Sequence, residues 1–255
     1  MMARDKKRDI SYFKKFVQNT EQLITEDIEY LASGKIKKDR IPWVEYNIFT
    51  SSLEVLIAKY SMGVNCDELT CDANNVISLM EKYYNPLITK VNSGSEHKDV
   101  FLDQYRVESY GKMLQVLSLA YLLNVSDADF QILVGIIDRD NISDNLYEFI
   151  IEARLSRCTQ KREEEYDKDK SVVLKVYKRL REATKEDDKE KASQLVKGYI
   201  EKDFYHKHCG FYQSHKSKFD IYFGYWSFEA AAVVRIRGLD DSSFRDHPYY
   251  PSDLV

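Results

Sequence analysis

Metal-ligating residue types gather in one late stretch of the chain, His206-Lys-His-Cys209, with His215 a little further on. A protein zinc site usually takes four such ligands in a tetrahedral arrangement, and this spacing matches no fold-forming zinc motif. His206 and His208 are two residues apart, so they lie on different faces if the stretch is helical. We therefore predict a surface loop without bound metal. The alternative is a metal-dependent hydrolase in which His206, His208, Cys209 and His215 hold the metal together with carboxylates from the acidic segment described next.

Carboxylates are concentrated in residues 99–152, which contain ten acidic and three basic residues, a net formal charge of −7, against −4 for the whole chain. Carboxylates near helix N-termini complement the helix dipole, which accounts in part for Asp127, Asp129 and Asp144. A compact acidic surface can also attract and cover a basic partner. The acid-rich run 163–167 is a second candidate, but it alternates with lysine and arginine as a solvated linker does. We predict that the acidic surface is formed by Asp127, Asp129, Asp138, Asp140, Asp144, Glu148 and Glu152.

Local signatures of catalysis are absent from the sequence. It has no glycine-rich phosphate loop, no Gly-x-Ser-x-Gly turn and no His-Glu-x-x-His pair. Cys66 and Cys71 have the wrong spacing for a redox Cys-x-x-Cys pair. In a chain of this length we predict that these two cysteines, Cys158 and Cys209 are reduced thiols.

The overall composition favours a helical, acidic protein. Of the 255 residues 31% are charged, and only four are proline and nine glycine, which favours helices over sheets. A net charge of −4 argues against a surface that grips nucleic-acid phosphates. No long apolar run follows the charged N-terminus, so we expect no signal peptide, no membrane span and a cytoplasmic location.

Apolar residues recur at three- and four-residue steps along most of the chain. This pattern predicts an all-α protein of about nine or ten helices, arranged as antiparallel helical hairpins in two packed regions, 1–124 and 125–255. No alternating strand pattern or Asn-Gly or Asp-Gly turn is present. We expect a flexible break at 92–96 and an exposed linker at 157–170. The helices are predicted near 9–33, 42–62, 67–84, 110–121, 130–137, 146–150, 171–182, 188–201 and 225–236.

The last predicted helix is apolar nearly all round, which is typical of a helix buried in a core. Gly238 follows it as a C-terminal stop. Glu229 lies within this apolar run, where a carboxylate is costly unless it is hydrogen-bonded. We expect it to accept hydrogen bonds from Tyr249, Tyr250 or backbone amides of a tail that folds back.

Three runs in this region resemble the C-terminal domain of the PoNe immunity protein (PoNi) family. They are Gly224-Tyr-Trp-Ser-Phe-Glu-Ala-Ala-Ala232, Asp240-Asp-Ser-Ser243 and Tyr249-Tyr-Pro-Ser-Asp-Leu254. The start of the chain, Asp9-Ile-Ser-Tyr-Phe13, is similar to the companion N-terminal domain. The motif residues are expected to be structural: Gly224, Tyr225, Trp226, Glu229, Tyr250 and Pro251.

The resemblance implies an immunity protein without catalytic activity or cofactor. It would bind and inhibit a DNase effector that is delivered between neighbouring bacteria, as in type VI secretion. Together with the acidic segment, this predicts that carboxylates cover the toxin's basic cleft, without direct contact to nucleic acid or membrane. A generic helical interaction scaffold is a further hypothesis, and the sequence leaves open whether the free protein dimerises.

Overall fold

The computed structural model describes residues 3–95, 98–155, 166 and 173–255. Within them the all-α prediction is confirmed, because helices provide nearly all of the regular structure. The predicted linker at 157–170 lies outside the described residues apart from Tyr166, as do Cys158 and the run 163–167 apart from that tyrosine. Cys66, Cys71 and Cys209 are free thiols.

Antiparallel helices form the N-terminal part of the fold. The first three pack side by side, and a single helical turn follows them. Asp9 caps the first helix, because its carboxylate accepts a hydrogen bond of 2.8 Å from the Tyr12 amide. The elements are α1 (Ile10–Ala32), α2 (Ile41–Met62), α3 (Cys66–Tyr83) and α4 (Pro86–Thr89).

A two-stranded antiparallel sheet interrupts the helices, formed by β1 (Lys90–Asn92) and β2 (Phe101–Tyr105). The sequence analysis predicted no strand. The predicted flexible break at 92–96 begins at the end of β1, so its described residues lie in the connection between the two strands. Short strands joined by a polar loop carry too few alternating positions to give a period-two signal.

Three helices follow the sheet: α5 (Val107–Leu122), α6 (Asp127–Arg139) and α7 (Asn145–Arg154). Ser126 caps the start of α6, because its hydroxyl accepts a hydrogen bond of 3.1 Å from the Asp129 amide. The ion pair of 2.8 Å between Asp127 and Arg154 places the start of α6 beside the end of α7. The two helices are therefore antiparallel.

The C-terminal part wraps around α5. Its elements are α8 (Val173–Val176), α9 (Lys178–Lys185), α10 (Lys189–Gly198), a π-helical turn (Tyr199–Phe204), a 3-10 turn (Ser214–Lys216), α11 (Phe228–Arg237) and a final 3-10 turn (Ser252–Leu254). The buried helix predicted from residue 225 starts at Phe228, since Gly224 and the next three residues are not helical. Gly238 ends α11 with φ +56°, as predicted.

One continuous core joins the two halves, from Phe13 of α1 to Leu254 of the tail. Residues 230–234 of α11 are fully buried, and the helix packs chiefly on α5. The boundary at 124 stays a prediction. Among the described residues, no helix combines the length and hydropathy needed to cross a membrane.

Candidate functional site

The carboxylate of Asp144 is fully buried where α5, α7 and α9 meet. It caps α7 by accepting hydrogen bonds of 2.9 Å from the amides of both Leu146 and Tyr147. It also pairs with Arg181 of α9 and accepts a hydrogen bond of 3.1 Å from the Tyr110 hydroxyl. Arg181 donates to the same Tyr110 hydroxyl at 2.8 Å. Asp144 is thus the centre of an internal polar network.

Asp140 is also an interior residue, with a fully buried carboxylate at the end of α6. It accepts a hydrogen bond of 2.8 Å from Arg139 and one of 2.6 Å from the Tyr105 hydroxyl. Arg139 also donates to the Tyr84 carbonyl at 2.6 Å, and Lys90 donates to the backbone carbonyl of Asp140 at 2.9 Å. These bonds tie the sheet and α3 to the end of α6.

The burial of Asp140 and Asp144 corrects their assignment to an exposed acidic surface. Both carboxylates are satisfied by internal partners, and neither is accessible to another protein. The remaining members are Asp127, Asp138 and Glu152, which are exposed, and Asp129 and Glu148, which are half-buried. We call these five the α6–α7 carboxylates, and their contact with a partner stays a prediction.

Two of the α6–α7 carboxylates have local partners at the start of α6. Asp127 is 71% exposed although it pairs with Arg154, and the Asp129 carboxylate accepts a hydrogen bond of 2.6 Å from the Ser126 hydroxyl. Because α6 and α7 are antiparallel, Asp127 and Glu152 lie towards one end of the helix pair and Asp138 towards the other. Carboxylates thus stand at both ends of this helix pair.

The histidines of the suspected metal cluster do not converge. The ring centroids of His206 and His208 lie 6.2 Å apart, and His206 Nδ1 accepts a hydrogen bond of 3.2 Å from the His208 amide. His215 instead contacts Tyr225, with 2.9 Å between its Nδ1 and the tyrosine hydroxyl. In the described part of the chain, no three residues of metal-ligating type come close enough to share an ion. The geometry gives the metal-dependent hydrolase hypothesis no support.

A cleft of about 680 Å³ lies between α2, α5 and the C-terminal loops. His206, His208 and Cys209 are among the residues that line it, together with Glu54 and Glu229. Burial raises the pKa of the Glu54 carboxyl. No local pattern in the sequence indicates this cleft, because its walls come from segments far apart in the chain.

Glu229 is buried in the first turn of α11, and its hydrogen-bond partners differ from those predicted. The Tyr199 hydroxyl donates to it at 2.7 Å and the Ser227 hydroxyl at 2.9 Å. The tail does fold back, because the Ser227 amide donates to the Tyr249 carbonyl at 2.8 Å. The expected tyrosine hydroxyl is therefore present, but it comes from the π-helical turn and not from the tail.

Glu229 should give the protein a measurable pH dependence. Burial raises the pKa of its carboxyl above the ordinary value of 4.5, against the opposing effect of the Tyr199 and Ser227 hydroxyls. The folded state therefore holds the proton more tightly than the unfolded state, so this group's contribution to stability falls as pH rises through the folded-state pKa. In a series of pH values from 4.5 upwards, we expect wild type to lose stability progressively relative to Glu229→Gln as pH rises through the raised folded-state pKa of Glu229. Urea denaturation of both proteins at these pH values measures the difference, and a pH-independent difference would contradict it.

The other motif residues hold the C-terminal segment together. Trp226 Nε1 donates to the Ser61 hydroxyl of α2 at 2.8 Å, and the Tyr225 hydroxyl lies 3.0 Å from that of Ser214. Tyr250 donates to the Asp241 carboxylate at 3.2 Å. Gly224 lies beside Trp226, and Pro251 is buried in the tail.

Two family models together match nearly the whole chain. The N-terminal model of the PoNe immunity proteins (PoNi) covers residues 4–135, and the C-terminal model covers residues 142–254. The chain belongs to the PoNi family. A short gap, residues 136–141, separates the two PoNi matches. It covers the last turn of α6 and the start of the connection to α7. No curated protein matches the sequence.

A solved structure shares the fold of this PoNi protein. It is that of protein PA2201 from Pseudomonas aeruginosa, with a TM-score of 0.64 and 16% sequence identity. The match covers 99% of this chain and 89% of the other. The arrangement of helices therefore extends over essentially the full length of both proteins.

Proposed function

We propose that this protein binds a DNA-cleaving toxin and inhibits it by covering the toxin's active cleft, in the cytoplasm of the cell that it protects. The observation that carries the proposal is membership of an immunity protein family over nearly the full chain. An immunity protein has a cognate toxin as its partner, and the resemblance identified from the sequence implies a DNase.

The α6–α7 carboxylates supply a physical basis for inhibition. A nuclease that holds DNA needs a positively charged cleft, since DNA carries one negative charge on each phosphate. Carboxylates that stand where phosphates would stand can occupy such a cleft. Opposite charges also speed the association of the two proteins, which an immunity protein needs because free toxin damages the chromosome.

The test is DNA cleavage by the toxin encoded beside this gene, titrated with the immunity protein. We expect inhibition to saturate near one-to-one and the association rate to fall with added salt, since salt screens exposed charges. Reversing charge in the pair Asp138→Lys and Glu152→Lys should slow association about tenfold or more. Asp187→Lys, an exposed site in the turn between α9 and α10, is the matched control.

The possible results test the immunity function and the α6–α7 carboxylates separately. An association rate equal to that of wild type for the reversed pair would remove the α6–α7 carboxylates from the interface and keep the immunity function. Absence of both binding and inhibition by the wild-type protein would contradict the proposed function and leave a helical interaction scaffold. Thermal unfolding of each variant shows whether the substitutions leave the fold intact.

A further inference from the structure

The outer part of the α1–α2 hairpin, residues 20–46, has few buried side chains. The buried residues of α1 are Phe13, Phe16 and Val17, all in its first half. That half is held by the C-terminal segment, through contacts such as the ion pair of 2.8 Å between Lys15 and Asp220. Beyond Val17, α1 packs chiefly on α2. This outer hairpin therefore presents most of its surface to solvent.

Large apolar side chains are concentrated on the outer hairpin. Leu23 is 59% exposed, Ile28 45%, Tyr30 50% and Trp43 48%. They are four of the eleven large hydrophobic residues that are exposed in the described part of the chain. Exposed apolar residues scattered singly need no explanation, but a concentration of them marks a site of interaction. Tryptophan and tyrosine are also the residues that most often carry binding energy at interfaces.

The spacing of these residues gives the surface an ordered layout. Leu23 and Tyr30 are two helical turns apart and share one face of α1, with Glu26 between them. On α2, Asn47 donates to the Asp27 carboxylate at 3.3 Å, which fixes the register of the two helices. Trp43 lies one turn before Asn47 and therefore stands beside the last turns of α1. Apolar side chains thus follow the outer end of both helices.

The α1 part of this surface is acidic. Residues 16–34 contain four carboxylates and no lysine or arginine. Glu21 forms an ion pair with Lys59 at 3.3 Å, whereas the carboxylates of Glu26 and Glu29 have no ion pair among the described residues. The cations of the connector at 35–40 lie beyond the C-terminal end of α1, where they complement its dipole. A partner that covers the face of α1 must bring its own positive charge.

We propose that the outer hairpin is a docking surface for the toxin, with Leu23, Tyr30 and Trp43 as apolar anchors. Glu26 and Glu29 then pair with lysine or arginine side chains of the toxin's DNA-binding face. The inference rests on the proposed function and adds a second contact region to the α6–α7 carboxylates. Charge complementarity selects this occupant, because a second copy of the chain would bring carboxylate against carboxylate along α1.

The experiment measures affinity for the purified cognate toxin by titration calorimetry, using three variants. They are Leu23→Ala with Tyr30→Ala, Trp43→Ala, and Glu26→Lys with Glu29→Lys. Each is expected to weaken binding about tenfold or more, since truncating an anchor residue commonly has that effect. The charge-reversed pair should also lose part of the salt dependence of association. Phe219→Ala, at a residue 64% exposed in the loop before α11, is the apolar control, and Asp187→Lys is the charge control.

Each outcome supports or overturns a separate statement. Unchanged affinity in all three variants, with wild type still inhibiting the toxin, overturns the hairpin inference and leaves the proposed function in place. Failure of wild type to bind or inhibit the toxin overturns the proposed function itself. A free protein that is dimeric by sedimentation, and becomes monomeric in the anchor variants without losing toxin affinity, would assign the surface to self-association and overturn the inference.

Discussion

Replacing Gly224 by alanine is expected to lower the free energy of unfolding by about 3 kcal/mol or more, because it combines backbone strain with overpacking. Gly224 has φ +123°, a region that residues with a Cβ rarely adopt. A Cβ there would lie 2.2 Å from the Ser61 hydroxyl oxygen and 2.6 Å from Trp226 Nε1. Urea denaturation of the two proteins measures the loss.

The clash would break the contact that docks the C-terminal segment onto α2. Ser61 accepts the hydrogen bond from Trp226 and donates one of 2.7 Å to the Phe223 carbonyl. Trp226 also packs edge-on against Tyr60, with ring centroids 5.1 Å apart. Ser61 and Trp226 cannot both stay in place beside a methyl group. We therefore expect Gly224→Ala to loosen the packing of residues 221–227, visible as a change in tryptophan fluorescence.

Two other glycines separate the causes. Gly34 has φ +67°, but a Cβ there would meet nothing within 4 Å, so Gly34→Ala tests strain alone and should cost about 1 kcal/mol. Gly135 lies in α6 with open space around it, and Gly135→Ala should stabilise the protein by about 0.5–1 kcal/mol. If Gly224→Ala lowers the free energy of unfolding by no more than Gly34→Ala does, the close approach to Ser61 and Trp226 does not contribute to the loss of stability.

Helix positions were the part of the fold that the sequence predicted well, because long amphipathic helices repeat their apolar residues many times. The predicted span 9–33 agrees with α1 within a residue at each end. The C-terminal end of α11 was predicted from Gly238, because a glycine there satisfies orphan backbone groups locally. The start of α11 was missed because Tyr225 and Trp226 are large apolar residues like those of the helix, but the conformation of residues 224–227 is set by contacts with α2 and the tail.

Burial of charge could not be predicted from local sequence. Asp144 and Asp127 both lie at a helix N-terminus, next to a similar mix of apolar residues. The side chain of Asp144 is nevertheless fully buried, whereas that of Asp127 is 71% exposed. The difference lies in the surroundings, because Asp144 is enclosed where α5, α7 and α9 meet, whereas Asp127 pairs with Arg154 at the surface. Each of these aspartates pairs with an arginine that is far away in the sequence. The spacing of charged residues alone therefore assigns both aspartates to the same surface.

The tyrosines show the same limit. The sequence has nineteen of them, and a tyrosine can lie either at the edge of a core or on a recognition surface. Several are fully buried with bonded hydroxyls, such as Tyr84, which donates to the Ser109 carbonyl at 2.6 Å. Tyr30 instead is half exposed in the outer hairpin. Tyrosine suits both roles because its ring is apolar and its hydroxyl is polar, so composition cannot divide them.

Removing the Asp144 carboxylate should disrupt the hydrogen-bond network around it. We expect Asp144→Ala to lower the free energy of unfolding by about 3–5 kcal/mol, the range seen when one partner of a buried ion pair is deleted. The variant removes the ion pair that Asp144 forms with Arg181, and it removes the cap of α7. It also removes the acceptor for the Tyr110 and Tyr166 hydroxyls. Chemical denaturation gives the loss. Asp127→Ala, at the exposed ion pair with Arg154, is the control and should cost less than about 1 kcal/mol.

A second substitution shows whether the cost arises from the lost ion pair with Arg181. Arg181→Leu added to Asp144→Ala removes the buried guanidinium that has lost this ion pair, so the double variant should regain about 1 kcal/mol or more relative to Asp144→Ala. If the two losses simply add, Asp144 acts through its cap on α7 and not through Arg181. In either case a charge reversal at Asp144 would abolish toxin inhibition by unfolding the protein. Loss of inhibition at this residue therefore says nothing about the interface, which has to be mapped with exposed residues such as Asp138, Glu152, Glu26 and Glu29.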